Sequence, residues 1–353
     1  MSGCVHGGAR DDELRALGVD PARLLDVSVN TNPYGPCPAV VAAVADARFD
    51  RYPDPTARAT CEVIAAHLDV AADTVALGNG AADLLWTLAR VLAPGGRPAL
   101  LVEPTFGELR AALSAQRSQA VEWRATADAA FAIDLDAVGA AARAHQAGLI
   151  YLCTPNTPTG AAVPATDLAT WAAAHPDVRV IVDQSFLSLS ERAADATVAM
   201  PANVIRVRSL TKDHAIPGVR VGYLLAAPAV VAAVEAHRPA WTTGAHAQAA
   251  ARAACSADAD AFVADSRRRV LADRAALDDD LRRLGLAPVP SATCFALVAV
   301  ADPAGLRRRL LVRHHVMIRD CASFGLPGYV RLAARPAGDR ARLVAALEEE
   351  LAR

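Results

Sequence analysis

Lys212 is the only lysine in a chain of 353 residues whose lysines and arginines together number 36. Every other basic side chain is therefore an arginine, which stays protonated at any usable pH and cannot act as a nucleophile. An amine that is shielded from water can lose its proton and condense with an aldehyde to form a Schiff base. The composition fits that chemistry at Lys212, and it fits equally well one surface lysine left by a coding bias toward arginine.

Three other segments carry groups that could bind a phosphate or an aromatic ring. The glycine-containing segment 78–82 lies between a short apolar run and a helical pattern, which would place backbone N–H groups at a helix N-terminus. Asp183 and Asn156 each follow an apolar run, so we expect both at the carboxyl edge of a parallel sheet, where ligands of α/β proteins bind. Taken singly, these features also fit an ordinary glycine turn, a helix cap at Asp183 and an Asx turn at Asn156.

The elements that must position these residues are short apolar runs that alternate with helical patterns. Strands are predicted at residues 74–77, 99–102, 120–123, 149–153, 178–182, 204–207 and 219–225. Helices are predicted at residues 38–47, 56–69, 106–114, 165–174, 229–236, 245–254 and 258–284 and in a stretch ending at residue 92, whereas residues 1–35 read as loop. Alternation of this kind indicates right-handed βαβ crossovers and an α/β fold with a mostly parallel, seven-stranded sheet flanked by helices.

The C-terminal part of the chain is predicted to be a smaller α+β unit. Its expected strands are residues 295–300, 316–319 and 329–333, and its expected helices are residues 303–313 and 338–352. The run Glu348-Glu349-Glu350 is interpreted as a solvated helix face. We predict an N-terminal arm that contributes to the small domain (residues 1–44), a large domain (45–240) and a small C-terminal domain (241–353).

Composition excludes several classes of protein. Hydrophobic residues make up 53% of the chain and the net charge is −2, so neither a disordered chain nor a nucleic-acid-binding surface is indicated. No apolar run approaches the roughly 20 residues that span a bilayer, and the N-terminus lacks a basic segment followed by an apolar one, which favours a cytoplasmic enzyme without a membrane partner. The seven cysteines are scattered without a CxxC spacing, which argues against a disulfide framework and against a metal site.

Four motifs in order along the chain resemble the fold-type-I pyridoxal-phosphate enzymes of the class I/II aminotransferase family. They are the Gly78-Asn79-Gly80 turn, the loop Pro155-Asn156-Thr157-Pro158-Thr159-Gly160, the strand-end Asp183, and Ser209-Leu210-Thr211-Lys212 followed by Arg220-Val221-Gly222-Tyr223. The resemblance covers nearly the whole chain. It implies a large domain with a mostly parallel sheet, a smaller α+β domain, and pyridoxal 5′-phosphate as the cofactor.

The resemblance also implies roles for individual residues. Lys212 would hold the cofactor as a Schiff base and later move a proton, and Asp183 would pair with the nitrogen of the cofactor ring. Asn156 would donate a hydrogen bond to the ring 3′-oxygen, and Phe106 would stack on the ring. The groups implied for the cofactor phosphate are the backbone of Gly80, Ala81 and Ala82 and the side chains of Ser209 and Arg220.

Two further residues match positions that act on the substrate or across subunits in this family. Arg331 matches the arginine that binds a substrate carboxylate, with a surface salt bridge as the alternative in so arginine-rich a chain. Tyr52 resembles a tyrosine that one subunit lends to the phosphate of the other, with a core tyrosine as the alternative. A homodimer with shared active sites is therefore implied.

Within the family, the segments His6-Gly7-Gly8, Asn30-Thr31-Asn32-Pro33 and 318–324 are similar to threonine-phosphate decarboxylases of cobamide synthesis and to histidinol-phosphate aminotransferases. Both relatives use phosphorylated substrates. The residues implied for binding such a substrate are Arg319, Asn32, His6 and Gly8. One departure is Asp183-Gln184-Ser185-Phe186, where these relatives usually read Asp-Glu-Ala-Phe or Asp-Glu-Ala-Tyr, so the substrate could differ from both.

The function predicted first is a pyridoxal-phosphate-dependent aminotransferase that acts on an amino acid or a phosphorylated amino compound. A threonine-phosphate decarboxylase-like lyase is the alternative, since the sequence does not reveal which bond at the substrate Cα is broken. A non-catalytic binding module of the same fold is a remote alternative, because only about 35 residues precede the first predicted helix, too few for a DNA-binding domain.

Overall fold

The computed structural model describes residues 6–93 and 96–352, and a seven-stranded sheet lies at its centre. The strands in chain order are β1 (Leu25–Asp26), β2 (Val75–Gly78), β3 (Ala99–Glu103), β4 (Ala120–Arg124), β5 (Leu149–Cys153), β6 (Arg179–Asp183), β7 (Val204–Ser209), β8 (Gly222–Leu225), β9 (Phe295–Ala299), β10 (Val316–Met317), β11 (Arg319–Asp320) and β12 (Tyr329–Ala333). The helices are α1 (Asp11–Leu17), α2 (Pro38–Ala45), α3 (Arg58–Leu68), α4 (Ala81–Leu92), α5 (Glu108–Ala115), α6 (Leu135–Ala144), α7 (Ala165–Ala173), α8 (Pro228–Ala236), α9 (Ala245–Ala253), α10 (Ala257–Arg283), α11 (Pro303–His314) and α12 (Ala337–Leu351).

The central sheet has the strand order β2-β8-β7-β6-β5-β3-β4. Neighbouring strands from β4 to β7 are parallel, while β8 is antiparallel to both β7 and β2. Every residue of β3 and β5 is buried, as expected for parallel strands that have helices on both faces. The prediction of a mostly parallel, seven-stranded sheet flanked by helices is confirmed.

A smaller α+β unit contains the C-terminal strands. Its antiparallel sheet has the order β11-β12-β9, and the short β1 pairs in parallel with β10. Leu277 of α10, Leu310 of α11 and Leu343 of α12 pack in one core with these strands. The domain boundaries at residues 44 and 240 stay a prediction; in the structure α9 shares a core with α3 and β2.

Some elements differ from the prediction. The segment 1–35 was expected to be loop, but it contains α1, whose only buried residue is Leu14. Helix α6 was not predicted, because its Ala-rich sequence provides few large apolar residues to mark one face. The single strand expected at residues 316–319 is divided, since β10 pairs with β1 while β11 pairs with β12.

Glu350 corrects the interpretation of the acidic run 348–350 as a solvated face. Its carboxylate is fully buried and accepts hydrogen bonds from Arg309 at 3.0 Å and from Arg313 at 3.2 Å, with His314 Nε2 at 3.0 Å. Glu348 is exposed, as expected. One residue of the run therefore ties α12 to α11.

Cysteines of the described residues are unpaired thiols, and Cys4 lies outside those residues. Five of these thiols are buried and Cys255 is half-buried. Within the same residues, no helix is both long enough and apolar enough to cross a membrane.

Candidate active site

A cavity of about 760 Å³ lies at the carboxyl ends of β5, β6 and β7, facing β11 and β12 of the smaller unit. The residues predicted for the site that line this cavity are His6, Ala81, Ala82, Phe106, Asp183, Ser209, Lys212, Arg220, Arg319 and Arg331. Gly80, Asn156 and Gly8 do not line the cavity but are next to lining residues in the chain, and Asn32 donates a backbone hydrogen bond to Lys212. Tyr52 lies outside the cavity. The structure thus brings most of the predicted side chains to one cavity.

Lys212 lies in the loop between β7 and β8, and its side chain is half-buried in the cavity. Burial lowers the pKa of its amine, and the charges of Arg220 and Arg331 lower it further, while Asp183 acts in the opposite direction. The loop is fixed from the N-terminal segment, since the Asn32 N–H donates to the Lys212 carbonyl at 2.8 Å. An amine with a lowered pKa is more readily neutral, which nucleophilic attack requires.

Asp183 is the last residue of β6 and is only 4% exposed. Its Oδ1 accepts a hydrogen bond from the Ser185 N–H at 2.9 Å. Burial raises the pKa of Asp183, whereas hydrogen bonds from Ser185 and Tyr151 and the charge of Lys212 act against that rise. A carboxylate in this position can bind a cationic group inside the cavity.

The N-terminus of α4 forms a cradle suited to an anion. Gly80 precedes the helix with a φ of +84° and provides no side-chain cap, so the first-turn N–H groups of Ala81 and Ala82 lack the usual capping partner. The guanidinium of Arg220 lies against Gly80, where an added Cβ would stand 2.5 Å from Nη2. Ser209, whose Oγ is 2.7 Å from Thr211 Oγ1, completes the cradle. Backbone N–H groups, two hydroxyls and a guanidinium fit a phosphate dianion.

Of the two residues expected around a cofactor ring, Phe106 lines the cavity, whereas the side chain of Asn156 is already hydrogen-bonded to other residues. Phe106 is half-buried and lines the cavity, with its ring centroid 5.6 Å from that of His6. Asn156 Nδ2 donates to the Pro104 carbonyl and to Thr159 Oγ1, both at 2.8 Å. Both of its amide protons are thus in use, so Asn156 can reach a ring oxygen only by exchanging one of these bonds.

Two arginines form the opposite side of the cavity. Arg319 on β11 and Arg331 on β12 are direct neighbours in the antiparallel register, and each is 6% exposed. Arg331 donates to Thr157 Oγ1 at 2.6 Å and to the Ser28 carbonyl at 2.7 Å. Burial lowers the pKa of Arg331 to about 10, with Arg319 contributing, so the side chain remains cationic at neutral pH. The pair provides a second, strongly basic site for an anion.

The N-terminal residues proposed for substrate binding have mainly structural contacts. Asn32 Nδ2 donates to the Asp213 carbonyl at 2.8 Å, and the Gly8 N–H donates to Ser28 Oγ at 2.8 Å. His6 does border the cavity, where its Nε2 lies 2.7 Å from Glu108 Oε1. Contact with substrate is therefore best supported, among these three, for His6.

Tyr52 is 79% exposed and lies outside the cavity. Its ring centroid lies 4.8 Å from that of Trp241, with the rings tilted by 35°, and Trp241 is 47% exposed. Tyr52 lines a surface groove of about 710 Å³. The alternative of a core tyrosine is thus excluded. A role in its own subunit's cavity is excluded as well in this conformation.

The sequence did not single out several residues of the cavity. Asn30 accepts from Arg331 Nε at 3.2 Å when its carboxamide oxygen faces the guanidinium, and the Thr157 hydroxyl is a second side-chain acceptor for that arginine. Both lie within quoted motifs, next to the residues that were chosen. Glu108 and Arg110 line the cavity from α5, and no sequence signal distinguishes them from surface charges on a helix.

Comparisons with known proteins agree with this geometry. A sequence model of the family described as aminotransferase class I and II matches residues 22–349. A histidinol-phosphate aminotransferase of Symbiobacterium thermophilum is 33% identical, with 99% of this chain and 96% of that protein aligned. The crystal structure of histidinol-phosphate aminotransferase from Sinorhizobium meliloti with pyridoxal-5′-phosphate superposes with a TM-score of 0.87 at 25% identity, covering 99% of this chain and 95% of that one. L-threonine-O-3-phosphate decarboxylase from Porphyromonas gingivalis shares the fold, with a TM-score of 0.82 at 24% identity over 93% of this chain and 99% of that one.

Proposed function

Because the chain belongs to the aminotransferase class I and II family and is therefore a pyridoxal-phosphate-dependent aminotransferase, we propose that its amino substrate is a phosphorylated compound. The observation that carries this proposal is the layout of the cavity. Lys212 lies between an anion cradle at the N-terminus of α4 and a second basic site, Arg319 with Arg331. One site would take the cofactor phosphate, which leaves the second site for an anionic substrate.

The residues of the cavity divide the work of the reaction. When bound, pyridoxal phosphate supplies an aldehyde that condenses with amines and a ring that accepts the electrons released at the substrate Cα. Lys212 is the amine that would hold this group covalently and, once released, would take the proton from Cα as a base, which its lowered pKa supports. Asp183 would hold the proton of the ring nitrogen, and Ser209, Arg220 and the start of α4 would bind the phosphate.

We assign the two arginines of the second basic site to two different anionic groups, a carboxylate at Arg331 and a phosphate at Arg319. Arg331 is fixed by Thr157 and the Ser28 carbonyl in an orientation suited to a bidentate contact with a carboxylate, which the acid partner in transamination carries. Arg319 donates to Ser323 Oγ at 2.7 Å, so a guanidinium and a hydroxyl are available together for a phosphate ester. The relatives named as histidinol-phosphate aminotransferases support this class of substrate.

The first experiment tests the cofactor and Lys212. Purified protein mixed with pyridoxal phosphate should gain visible absorption, and borohydride should fix the cofactor to Lys212, as located by mass spectrometry. Lys212→Ala should still bind the cofactor but should lose turnover by about 10³-fold or more, because it lacks both the covalent link and the base. A wild-type protein that takes up no cofactor would show that the cavity does not work in this way.

The second experiment identifies the reaction and the substrate. Histidinol phosphate, threonine phosphate and dephosphorylated histidinol are each supplied with 2-oxoglutarate, and both glutamate and CO₂ are measured. We expect glutamate without CO₂ and a preference for a phosphorylated amine. Arg319→Ala should reduce kcat/KM for the phosphorylated amine by roughly 10–100-fold and for histidinol far less, since one charged hydrogen bond to phosphate is lost. Release of CO₂ without glutamate would identify a decarboxylase instead.

We also propose that the enzyme is a homodimer whose subunits share active sites. Tyr52 lines the 710 Å³ groove together with Arg51 and Arg252. The exposed ring of Trp241 lies 4.8 Å from that of Tyr52, and Phe49 is a further exposed aromatic residue three positions before Tyr52 in the chain. Exposed aromatic clusters of this kind are typical of protein interfaces. A second copy of the chain is the occupant implied by the family resemblance at Tyr52. Cytoplasmic location stays a prediction from composition.

A further inference from the structure

Tyr151 lies inside β5 beside the carboxylate of Asp183. The register of β5 and β6 aligns Cys153 with Asp183, and Tyr151 points to the same face because it precedes Cys153 by two residues. The phenol oxygen lies 3.4 Å from Asp183 Oδ2 and 3.2 Å from Cys153 Sγ. Tyr151 is 0% exposed, so water cannot replace these partners.

The neighbouring hydrogen bonds decide where the phenol proton goes. Thr105 Oγ1 lies 3.0 Å from Asn156 Oδ1 and 3.1 Å from Cys153 Sγ. The Thr105 hydroxyl has one proton, and the amide oxygen is a stronger acceptor than the thiol sulfur, so Thr105 donates to Asn156 Oδ1 rather than to Cys153 Sγ. Two acceptors remain for the phenol proton of Tyr151. The Cys153 sulfur is a weak acceptor, whereas the ionised carboxylate of Asp183 is a strong one. Tyr151 therefore donates to Asp183.

This bond adds to the hydrogen bonds that the Ser185 hydroxyl and backbone N–H donate to the carboxylate. Oδ1 of Asp183 accepts from the Ser185 N–H at 2.9 Å, while Oδ2 faces Tyr151 on one side and the cavity on the other. Lys212 faces it from the β7–β8 loop, and the Cys153 thiol lies alongside on β5. Burial disfavours the ionised form of Asp183, and a hydrogen bond to that form opposes the effect.

We propose that Tyr151 is a positioning residue that keeps Asp183 ionised and its carboxylate directed into the cavity, and thereby sets how firmly Asp183 holds the cofactor ring nitrogen. The consequence for the cofactor rests on the proposed function, whereas the contact between Tyr151 and Asp183 does not. Tyr151 acts through Asp183 and has no contact of its own with the cavity, which it does not line.

The contact is tested in the apoenzyme. Protein labelled with ¹³C at the aspartate side-chain carboxyl is titrated by NMR, and the Asp183 signal is assigned by its absence in Asp183→Asn. Tyr151→Phe removes only the hydroxyl and should raise the titration midpoint of Asp183. Tyr223→Phe is the matched control, because Tyr223 is also a buried tyrosine of the sheet but interacts with Arg208 rather than with Asp183, and it should leave the midpoint unchanged.

The consequence is tested in the holoenzyme by a double-mutant cycle. Tyr151→Phe should weaken binding of pyridoxal phosphate roughly tenfold, as expected for the loss of one hydrogen bond to a charged group. In the Asp183→Asn background the same substitution should change affinity by less than about twofold, because the group through which Tyr151 acts is neutral there. Tyr151→Phe should also lower kcat with little change in KM, since substrate contacts remain.

Each outcome has a defined meaning. An unchanged Asp183 midpoint in Tyr151→Phe overturns the proposal, and so does an equal loss of cofactor affinity in both backgrounds. If Tyr151→Phe fails to fold, 3-fluorotyrosine at position 151 retains the shape and donates more strongly, so it should lower the midpoint; no change would overturn the proposal. A raised midpoint together with a wild-type protein that binds no cofactor would overturn the proposed function alone.

Discussion

Lys212 lies where its surroundings disfavour a positive charge. Its pKa in the folded chain is lowered by burial and then by Arg220 and Arg331, relative to the ordinary value of 10.5 that holds in the unfolded chain. Between the two values the unfolded chain retains a proton that the folded chain has lost, so the free energy of unfolding rises with pH in that window. At pH values below the folded-state pKa, Lys212 is protonated in both states, and its buried positive charge destabilises the folded chain to the full extent.

Replacing this lysine by a neutral side chain of similar length should therefore stabilise the apoenzyme. Lys212→Met should have a higher free energy of unfolding than wild type at pH 7, and the difference should shrink as the pH approaches 10.5, where the unfolded lysine also loses its proton. Urea unfolding at several pH values measures this. Because the chain has no other lysine, no second side-chain amine contributes to the difference. A difference independent of pH would contradict the argument.

Gln184, the residue after Asp183, does not line the cavity. Its Oε1 accepts from Arg208 Nε at 3.0 Å, and both residues are buried. Gln184→Ala should destabilise the protein by about 1.5–3 kcal/mol, since a hydrogen bond to a buried guanidinium is lost. The ratio of kcat/KM values for two amino substrates should stay constant. A changed ratio with unchanged stability would show instead that this position selects the substrate.

The sequence revealed site residues that have unusual types or lie at strand ends. Lys212 is unique in the chain, and Asp183 terminates an apolar run, so both could be predicted. Tyr151 could not, because a tyrosine inside a strand is equally explained by its preference for β-structure. Whether its hydroxyl reaches a carboxylate depends on the register between β5 and β6, which only the fold determines.

At the scale of elements, the start of α4 packs against β8 with no room for a side chain. A Cβ added to Gly222 would lie 2.6 Å from the Arg208 carbonyl oxygen and 3.0 Å from the Ala81 nitrogen, both of which are backbone atoms. Gly222→Ala should therefore displace the phosphate cradle, destabilising the protein by about 1–3 kcal/mol and weakening cofactor binding roughly tenfold or more.

The matched control for this change is Gly218→Ala, four residues earlier, in the loop that leads into β8. A Cβ there meets no atom within 4 Å. Its effect on stability should stay within about 0.5 kcal/mol, and its cofactor affinity should equal that of wild type. Thermal unfolding and fluorescence titration with pyridoxal phosphate measure both variants; equal affinities for the two would show that the close packing at Gly222 does not shape the cradle.

Helices α11 and α12 are joined by the buried carboxylate of Glu350. Glu350→Gln keeps the shape of the side chain but removes the negative charge that Arg309, Arg313 and His314 share. It should destabilise the protein by about 2 kcal/mol. This loss is smaller than that expected for a fully buried ion pair, because the two arginines are partly exposed to solvent. Glu348→Gln, on the exposed side of the same helix, should change stability by less than about 0.5 kcal/mol. Equal effects in urea unfolding would contradict this difference.

The accuracy of the predicted elements followed their apolar content. Strands β3 and β5 of the central sheet could be predicted because all their residues are buried and form continuous apolar runs in the sequence. Helix α6 was not predicted, because the side chains that it buries are small except for Val138. The division of residues 316–319 into β10 and β11 depends on pairing with β1 and β12, which are distant in the chain and leave no local signal.

At the scale of the whole molecule, the cavity combines parts that are far apart in the chain. Lys212 and Asp183 come from the large sheet, Arg319 and Arg331 from the smaller unit, and His6 from the N-terminal segment. Arg319 also donates to the His6 carbonyl at 3.3 Å, which links the last two. Tyr52 is the exception among the predicted residues, since it faces away from its own cavity with 79% of its surface exposed.

If each active site contains residues of both subunits, two different inactive variants should restore activity when they form a heterodimer. Tyr52→Ala should reduce cofactor affinity, and Lys212→Ala should abolish turnover, so each homodimer should be poorly active. In a heterodimer of the two variants, the subunit that retains Lys212 receives Tyr52 from its partner, which restores one complete site of two. Heterodimers purified through two different affinity tags should therefore recover about half of the wild-type activity. Recovery requires that Tyr52 acts across the interface: if it served its own subunit, one site would lack Tyr52 and the other Lys212, and the heterodimer would remain as inactive as its parents.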